Sequence, residues 1–312
     1  MAVRPYRIQW NSMTLFEERL AADATANTDQ RVSIVIPAFN EAKVIGRVLD
    51  ELRAANYYEI IVVDDGSSDD TAQVAQQHGA KVVRHPYNIG NGAAVKSGVR
   101  AAGGAVIVLM DGDGQHKPSD VPRLLAHMGE YDMVVGARTN ESQAQRHRNI
   151  ANTVFNGYAS YVVGYPVADL TSGFRAIRAP ILKHFVYLLP NRFSYPSTIT
   201  IALFRSGFRV KYEPIVAPAR VGRSKIRPLR DGFTFLLTIT RLATLFVPLK
   251  IFLPVSFVFG VTGVGYGAYL LIDKHRFSNM AALLISAAVM IFLIGLVSEQ
   301  IAMLRLANTS RD

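Results

Sequence analysis

Two uncharged stretches near the C-terminus, 251–272 and 277–298, constrain this chain more than any other feature. Each is 22 residues long, about 33 Å as a helix, enough to cross roughly 30 Å of hydrocarbon. Only DKHR separates them, which favours a transmembrane hairpin over a pair of buried core helices. Basic residues crowd the segment before the hairpin and Arg305 and Arg311 follow it, while the connecting loop holds only Lys274 and Arg276. The positive-inside bias therefore predicts a multi-pass membrane protein with two spans, its N-terminal domain and both termini cytoplasmic. Gly263 and Gly267 form a small-xxx-small pair that would let helices approach closely, a route to a homo-oligomer through the hairpin.

The segment leading into the hairpin is also distinctive. ARVGRSKIRPLR (219–230) carries five cations and no acid, and FTFLLTITRLATLFVP (233–248) is apolar with a single Arg. Such a pairing suits an amphipathic element lying at a membrane surface. The net charge of +10 calls for an anionic partner: nucleic acid, an acidic membrane surface or a phosphorylated substrate. Nucleic acid is disfavoured, because the densest basic cluster abuts the hydrophobic hairpin. With no cysteine, a disulfide framework and a thiolate metal site are both excluded. The first 31 residues read as a polar lead-in without the apolar core of a secretory signal.

From residue 32 short apolar runs alternate with helical stretches. VSIVIP (32–37), EIIVVDD (59–65), KVVRH (81–85), AVIVLMD (105–111) and DMVVGAR (132–138) read as strands buried on both faces. Between them 41–55, 68–79, 91–102 and 118–129 have helical spacing, with Ser, Asp or Pro near their starts. This βαβ alternation predicts an α/β domain on a mostly parallel sheet, with ligands at the strands' carboxyl ends. Residues 139–218 are less regular and read as the second half of the same domain. The expected boundaries are 32–220 for the catalytic domain, 221–248 for the interfacial segment, 249–304 for the hairpin and 305–312 for a tail.

The strongest chemical signal is DGDGQH (111–116), directly after the strand AVIVLM. Asp111 and Asp113 leave a strand end two residues apart, so both carboxylates can turn toward one point. Hard oxygen donors of this kind suit Mg²⁺ or Mn²⁺, with Gln115 as a further neutral oxygen and the rest supplied by water and substrate phosphates. An EF-hand is excluded, because its glycine position is His116 and its twelfth position is Pro122. Asp64 and Asp65 end the second strand, where a carboxylate can bond a base or a ribose hydroxyl. Ser67, Ser68 and Asp69 read instead as helix caps. NIGNG (88–92) precedes a helix, and its glycines would either admit a phosphate or make a turn. It lacks the third glycine of GxGxxG, which weighs against a dinucleotide oxidoreductase.

In this order, PAFNEA (37–42), VVDDGSSDDT, NIGNGAAVKSG, DGDGQHKPSD, TSGFRAIR and VGRSKI resemble the family 2 glycosyltransferases of GT-A fold. The chain is most similar to the dolichol-phosphate mannose synthase group and its bacterial polyprenyl-phosphate relatives, over roughly residues 32–230 and the paired spans. Processive synthases of family 2 carry QxxRW, whereas the only Trp here is Trp10, so a polymerising synthase is not expected.

The resemblance implies a function and its residues. A sugar would pass from a nucleotide diphosphate to a polyprenyl phosphate at the cytoplasmic membrane face, with inversion. UDP is favoured over GDP by analogy with two-span relatives. Pro37, Asn40, Glu41 and Asp65 would line the nucleoside pocket, and Arg220 and Lys225 would close over the donor diphosphate. Asp111, Asp113 and Gln115 would hold the metal, with Asp111, Asp113 and Lys225 as the catalytic set. Arg138, Arg148 and Asn152 would receive the acceptor phosphate, although Ser or Thr is the expected residue at 152. The rival reading is a membrane-tethered nucleotide-binding or scaffold protein without turnover, which would not need both carboxylates of the DxD.

Overall fold

The structure is a computed structural model that describes residues 31–139, 146–192, 194–216 and 228–309, with the backbone alone at 146–151, 228–235 and 305–309. It comprises two compact units, Gln30–Leu242 and a C-terminal one, Ala243–Asp312.

The first unit is built on a seven-stranded sheet of order β3-β2-β1-β4-β6-β5-β7. The strands are β1 (Val32–Ala38), β2 (Glu59–Asp64), β3 (Lys81–Arg84), β4 (Val106–Leu109), β5 (Met133–Arg138), β6 (Arg175–Arg178) and β7 (Val210–Ile215). All neighbours are parallel except β6, which runs antiparallel to both β4 and β5. The chain leaves β1 toward β2 and β3, then returns to β4 on the other side of β1. The carboxyl ends of β1 and β4 therefore flank a topological switch point, where ligands of open α/β sheets bind.

Side-chain alternation on these strands feeds two cores. Ile34, Ile36, Val62, Val108 and Phe174 face helix α1 (Ala42–Arg53) and the short α4 (Val121–Leu125), meeting Ile45, Leu49, Leu52 and Leu124. Helix α2 (Thr71–Gln77) follows β2. On the opposite face α3 (Asn91–Ala101) approaches β1 so closely that a Cβ on Gly98 would stand 2.3 Å from Val35. Helices α5 (Arg146–Val163), α6 (Ala179–Phe185) and α7 (Tyr195–Arg205) also belong to this unit.

Two sequence expectations are corrected here. β3 is not buried on both faces, because as the edge strand it exposes Lys81 and Arg84 and half-buries the valines between them. The 139–218 region is also more ordered than it reads. It contributes an 18-residue helix, α5, and a strand inserted in reverse direction between β4 and β5.

Helix α8 (Pro228–Phe246) leads to α9 (Leu249–Lys274) and α10 (Asn279–Thr309). The longest apolar windows of α9 and α10 are only 11% and 17% buried, so neither is the core helix of a soluble domain. Much of the remaining helix surface, including Phe257 and Ile272, is an apolar coat. Backbone groups satisfied within each helix make that coat compatible with lipid.

The hairpin closes on small residues. A Cβ on Gly263 would meet Ile285 at 2.9 Å, one on Gly267 would meet Ala281 at 3.1 Å, and one on Gly295 would meet Phe252 at 2.7 Å. The Gly263/Gly267 pair thus serves packing within the hairpin. Ser256 Oγ donates to Ala288 O across the helices at 2.8 Å. The sequence reading ended the second span at residue 298, ahead of Glu299. The helix continues, and Glu299 Oε2 accepts the Leu249 N–H at 3.1 Å, satisfying a donor at the start of α9.

Candidate functional site

The DGDGQH loop leaves β4 and folds over the end of β1. A Cβ on Gly112 would lie 3.2 Å from Pro37 O, and one on Gly114 would lie 2.8 Å from Val44 of α1. Gly114 also has φ 72°, which a side chain would strain. Both acidic groups are half-buried, and Asp113 Oδ1 accepts the Gln115 N–H at 3.1 Å. His116 lies beneath them, stacked on Phe174 with ring centroids 5.1 Å apart. Its Nδ1 accepts the Asp111 N–H at 3.2 Å, which sets the proton on Nε2. Burial holds this imidazole below its usual pKa against the pull of Asp111 and Asp113, so it is a neutral floor to the loop.

Among the described residues, the Asp111 carboxylate accepts no hydrogen bond. An acidic group left without donors beside a second carboxylate is what a hard divalent cation requires. Among the described residues no three His, Cys, Asp or Glu groups cluster, so substrate oxygens would have to complete the shell.

The loops after β1 and β2 are knitted together. Asn40, at φ 58°, donates its N–H to Ser67 Oγ, and its Oδ1 accepts the Ser68 N–H, both at 2.9 Å. The Glu41 N–H donates to Thr71 Oγ1 at 2.9 Å, and the Ala42 N–H to Asp69 Oδ2 at 3.3 Å. Asp69 and Thr71 thus serve the start of α1, across the cleft, rather than capping α2 alone. Asp64 is fully buried, accepts the Ser67 N–H at 3.0 Å and lies 3.2 Å from Arg84 Nε.

Asp65 is 3% exposed and heavily engaged. Its carboxylate accepts the N–H groups of Ile89 (3.1 Å) and Gly90 (2.8 Å) and meets His85 Nδ1 at 2.7 Å. His85 Nε2 in turn contacts Ser97 Oγ at 2.8 Å. The 88–92 loop is likewise committed. The Gly92 and Ala93 N–H groups donate to Arg192 O and Asn191 O, and a Cβ on Gly92 would stand 2.0 Å from Pro190 O. Of the two options for NIGNG, these bonds select a turn that packs on 190–192, not a phosphate cradle.

Near Asp111 the structure joins Arg138, an expected site residue, to partners that the sequence did not single out. Arg138, at the end of β5, forms a two-pronged pair with Asp169: Nε to Oδ2 at 2.8 Å and NH2 to Oδ1 at 2.9 Å. A third bond runs from NH2 to Thr171 Oγ1 at 2.6 Å. Asp169 also accepts the N–H groups of Thr171 and Ser172. Burial alone would raise its pKa, but the Arg138 bonds and charge hold it below the usual carboxylate range. Asp169 is therefore a saturated, ionised positioning group. Its signal is the D-x-T spacing of an Asx turn just before SGF.

Arg175 of β6 is fully buried, donating NH1 to Pro196 O (3.0 Å) and Thr200 Oγ1 (3.1 Å), and NH2 to Ser172 O. It ties the 172–174 segment to the first turn of α7. Tyr195, 2% exposed, donates its hydroxyl back to Gly173 O at 3.3 Å. Of the other expected site residues, Asn152 is half-buried on α5, the helix to which Arg148 also belongs by its backbone. The Arg148 side chain, Arg220 and Lys225 lie outside the described residues.

Comparison with known proteins agrees with this geometry. Residues 33–186 match the family described as Glycosyl transferase family 2, and 247–304 match the GtrB C-terminal hairpin. An uncharacterized protein of Methanocaldococcus jannaschii is 34% identical over 61% of this chain and 82% of its own length. An undecaprenyl-phosphate 4-deoxy-4-formamido-L-arabinose transferase of Pseudomonas savastanoi pv. phaseolicola is 31% identical over 79% of this chain and 75% of its own. The UDP-N-acetylglucosamine–dolichyl-phosphate N-acetylglucosaminyltransferase of Methanococcus voltae is 31% identical over 50% of this chain and 72% of its own. Among solved structures, glucosyl-3-phosphoglycerate synthase of Mycobacterium tuberculosis with Mn²⁺, UDP-glucose and phosphoglyceric acid superposes with TM-score 0.56. It is 25% identical, covering 77% of this chain and 86% of that one. The chain is a membrane protein and a glycosyltransferase: it belongs to glycosyl transferase family 2 and carries the GtrB-type hairpin at its C-terminus.

Proposed function

We propose that this enzyme transfers a sugar from a UDP-sugar to a polyprenyl phosphate, with its active site facing the cytoplasm and with inversion at the sugar carbon. The observation that carries the reading is the Asp111 carboxylate, which accepts no hydrogen bond among the described residues, beside Asp113 at the switch point of a GT-A sheet, in a chain with a C-terminal hairpin of long apolar helices. The names of relatives that act on dolichyl and undecaprenyl phosphates support the acceptor class. Solved relatives that hold UDP-glucose and Mn²⁺ support the donor and the cation.

Asp111, Asp113 and Gln115 would hold Mg²⁺ or Mn²⁺, which when bound would offset charge on the departing diphosphate. Pro37, Asn40 and Glu41 would border the nucleoside, and Asp65 would act through the 88–92 loop it anchors. Arg220 and Lys225 would close over the diphosphate. The nucleophile would be an oxygen of the acceptor monophosphate, whose second pKa is about 6 and which is largely ionised at neutral pH. No strong base is needed, and Asp169, already accepting from Arg138, Thr171 and Ser172, is not one. Arg138 and Arg148 would neutralise the incoming phosphate, with Asn152 beside them, so that two anions can meet in line. Helix α5 carries exposed Val154 and Tyr161, and its Tyr158 hydroxyl lies 3.3 Å from Thr240 Oγ1 of α8. This apolar face supports seating the domain at the bilayer surface.

Sugar transfer should vanish in EDTA and return with Mg²⁺ or Mn²⁺, and Asp113→Asn should lower kcat by at least about 100-fold, the scale of a lost electrostatic stabiliser. Full activity in chelator would sink the metal reading. The scaffold alternative predicts nucleotide binding without transfer under every metal condition.

A further inference from the structure

We propose that Tyr195 is the outer hydrogen-bond partner of Asp111, positioning this carboxylate for the divalent cation. The inference rests on the metal reading above and concerns residues that it does not use.

Carboxylates that ligate metals are themselves held by hydrogen bonds from the protein, which fix their orientation. Asp111 accepts none among the described residues, so a partner must be sought within reach. Three groups qualify by position. Arg138 and Arg175 act on Asp111 through charge, but Arg138 turns its Nε and NH2 to Asp169 and Thr171, and Arg175 directs both terminal nitrogens to Pro196 O, Thr200 Oγ1 and Ser172 O. The third is the Tyr195 hydroxyl. The point where a Cβ on Gly173 would stand is 2.7 Å from Asp111 Oδ2 and 2.9 Å from Tyr195 Oη. Both oxygens therefore border the same space, which only a glycine at 173 leaves open.

The hydroxyl has one bond in the structure, to Gly173 O at 3.3 Å, at the long end of the range for an O–H donor. Turning the phenolic hydrogen, together with movement of the ring tip or of the Asp111 side chain through that shared space, would bring the two oxygens into hydrogen-bond range. The residue as a whole is held in place. It is 2% exposed at the start of α7, and the helix's first turn is tied down by Arg175 through Pro196 O and Thr200 Oγ1. A phenol is protonated at neutral pH, so the hydroxyl is able to donate.

The test is Mn²⁺ binding, read from the free-ion EPR signal, by the full-length protein in detergent, stripped of metal and saturated with UDP. Tyr195→Phe keeps the ring and removes the donor. The expected result is an Mn²⁺ Kd raised about 10- to 100-fold, the usual effect of losing an outer partner. The melting temperature should move by no more than about 2–4 °C. Gly173→Ala, which fills the shared space, should weaken Mn²⁺ as well. Wild-type Mn²⁺ affinity in Tyr195→Phe would overturn the inference and leave the metal reading intact. Absence of Mn²⁺ binding by the unsubstituted protein would overturn both.

Discussion

Asp65 marks how far a residue can be read from its neighbours in sequence. Its place after β2 suggested a ligand for the nucleoside, yet its carboxylate binds two N–H groups of the 88–92 loop and His85. Removing it leaves two half-buried N–H donors and the buried His85 unpaired, each costing about 1–3 kcal/mol. Asp65→Ala should therefore lower unfolding stability by about 2–5 kcal/mol in urea titrations followed by near-UV circular dichroism. Weakened nucleotide binding would follow from the slackened loop. Unchanged stability with weaker UDP binding would return Asp65 to direct ligand contact. Asp111 and Asp113 stood out in the sequence because two carboxylates follow a strand end at a spacing of two. Tyr195, Asp169 and Arg175 were not, because their partners are far away in sequence: Tyr195 meets Gly173, and Asp169 meets Arg138. No local period reports such meetings.

The parallel strands and their helices were visible as apolar runs with capping residues between them, because burial on both faces leaves no room for polar alternation. The reversed strand β6 was hidden. RAIR is too short for a period, and its Arg175 looks like a surface residue while lying fully buried. Helix α5 was hidden for the opposite reason: it exposes Val154 and Tyr161, which blurs its amphipathic stripe. The hairpin was the easiest element to read, although its glycines turned out to serve packing between α9 and α10. Its proposed orientation rests on charge asymmetry alone and can be measured directly. A cysteine at Lys274, in a chain that has none of its own, should react with an impermeant maleimide only from the side opposite the catalytic domain. Reaction only from the catalytic side would mean a re-entrant pair.

At the scale of the whole molecule, a water-soluble donor must meet an acceptor that never leaves the bilayer. The chain answers with a nucleotide-type sheet, a basic and amphipathic connection, and a pair of lipid-facing helices. The class of reaction was readable from that sequence of parts. The identity of the sugar was not, because no residue type or spacing in TSGFRAIR or SYPSTIT (194–200) reports which hydroxyls a pocket would recognise. The central claim is transfer of the sugar alone onto a lipid monophosphate, and product analysis tests it most directly. Purified protein with Mn²⁺, polyprenyl phosphate and UDP-sugars labelled in both sugar and β-phosphate should release UDP that keeps the labelled phosphate. The lipid product should carry the sugar through a single phosphate. Release of UMP with a lipid diphosphate product, or no lipid-linked sugar from any donor, would contradict it.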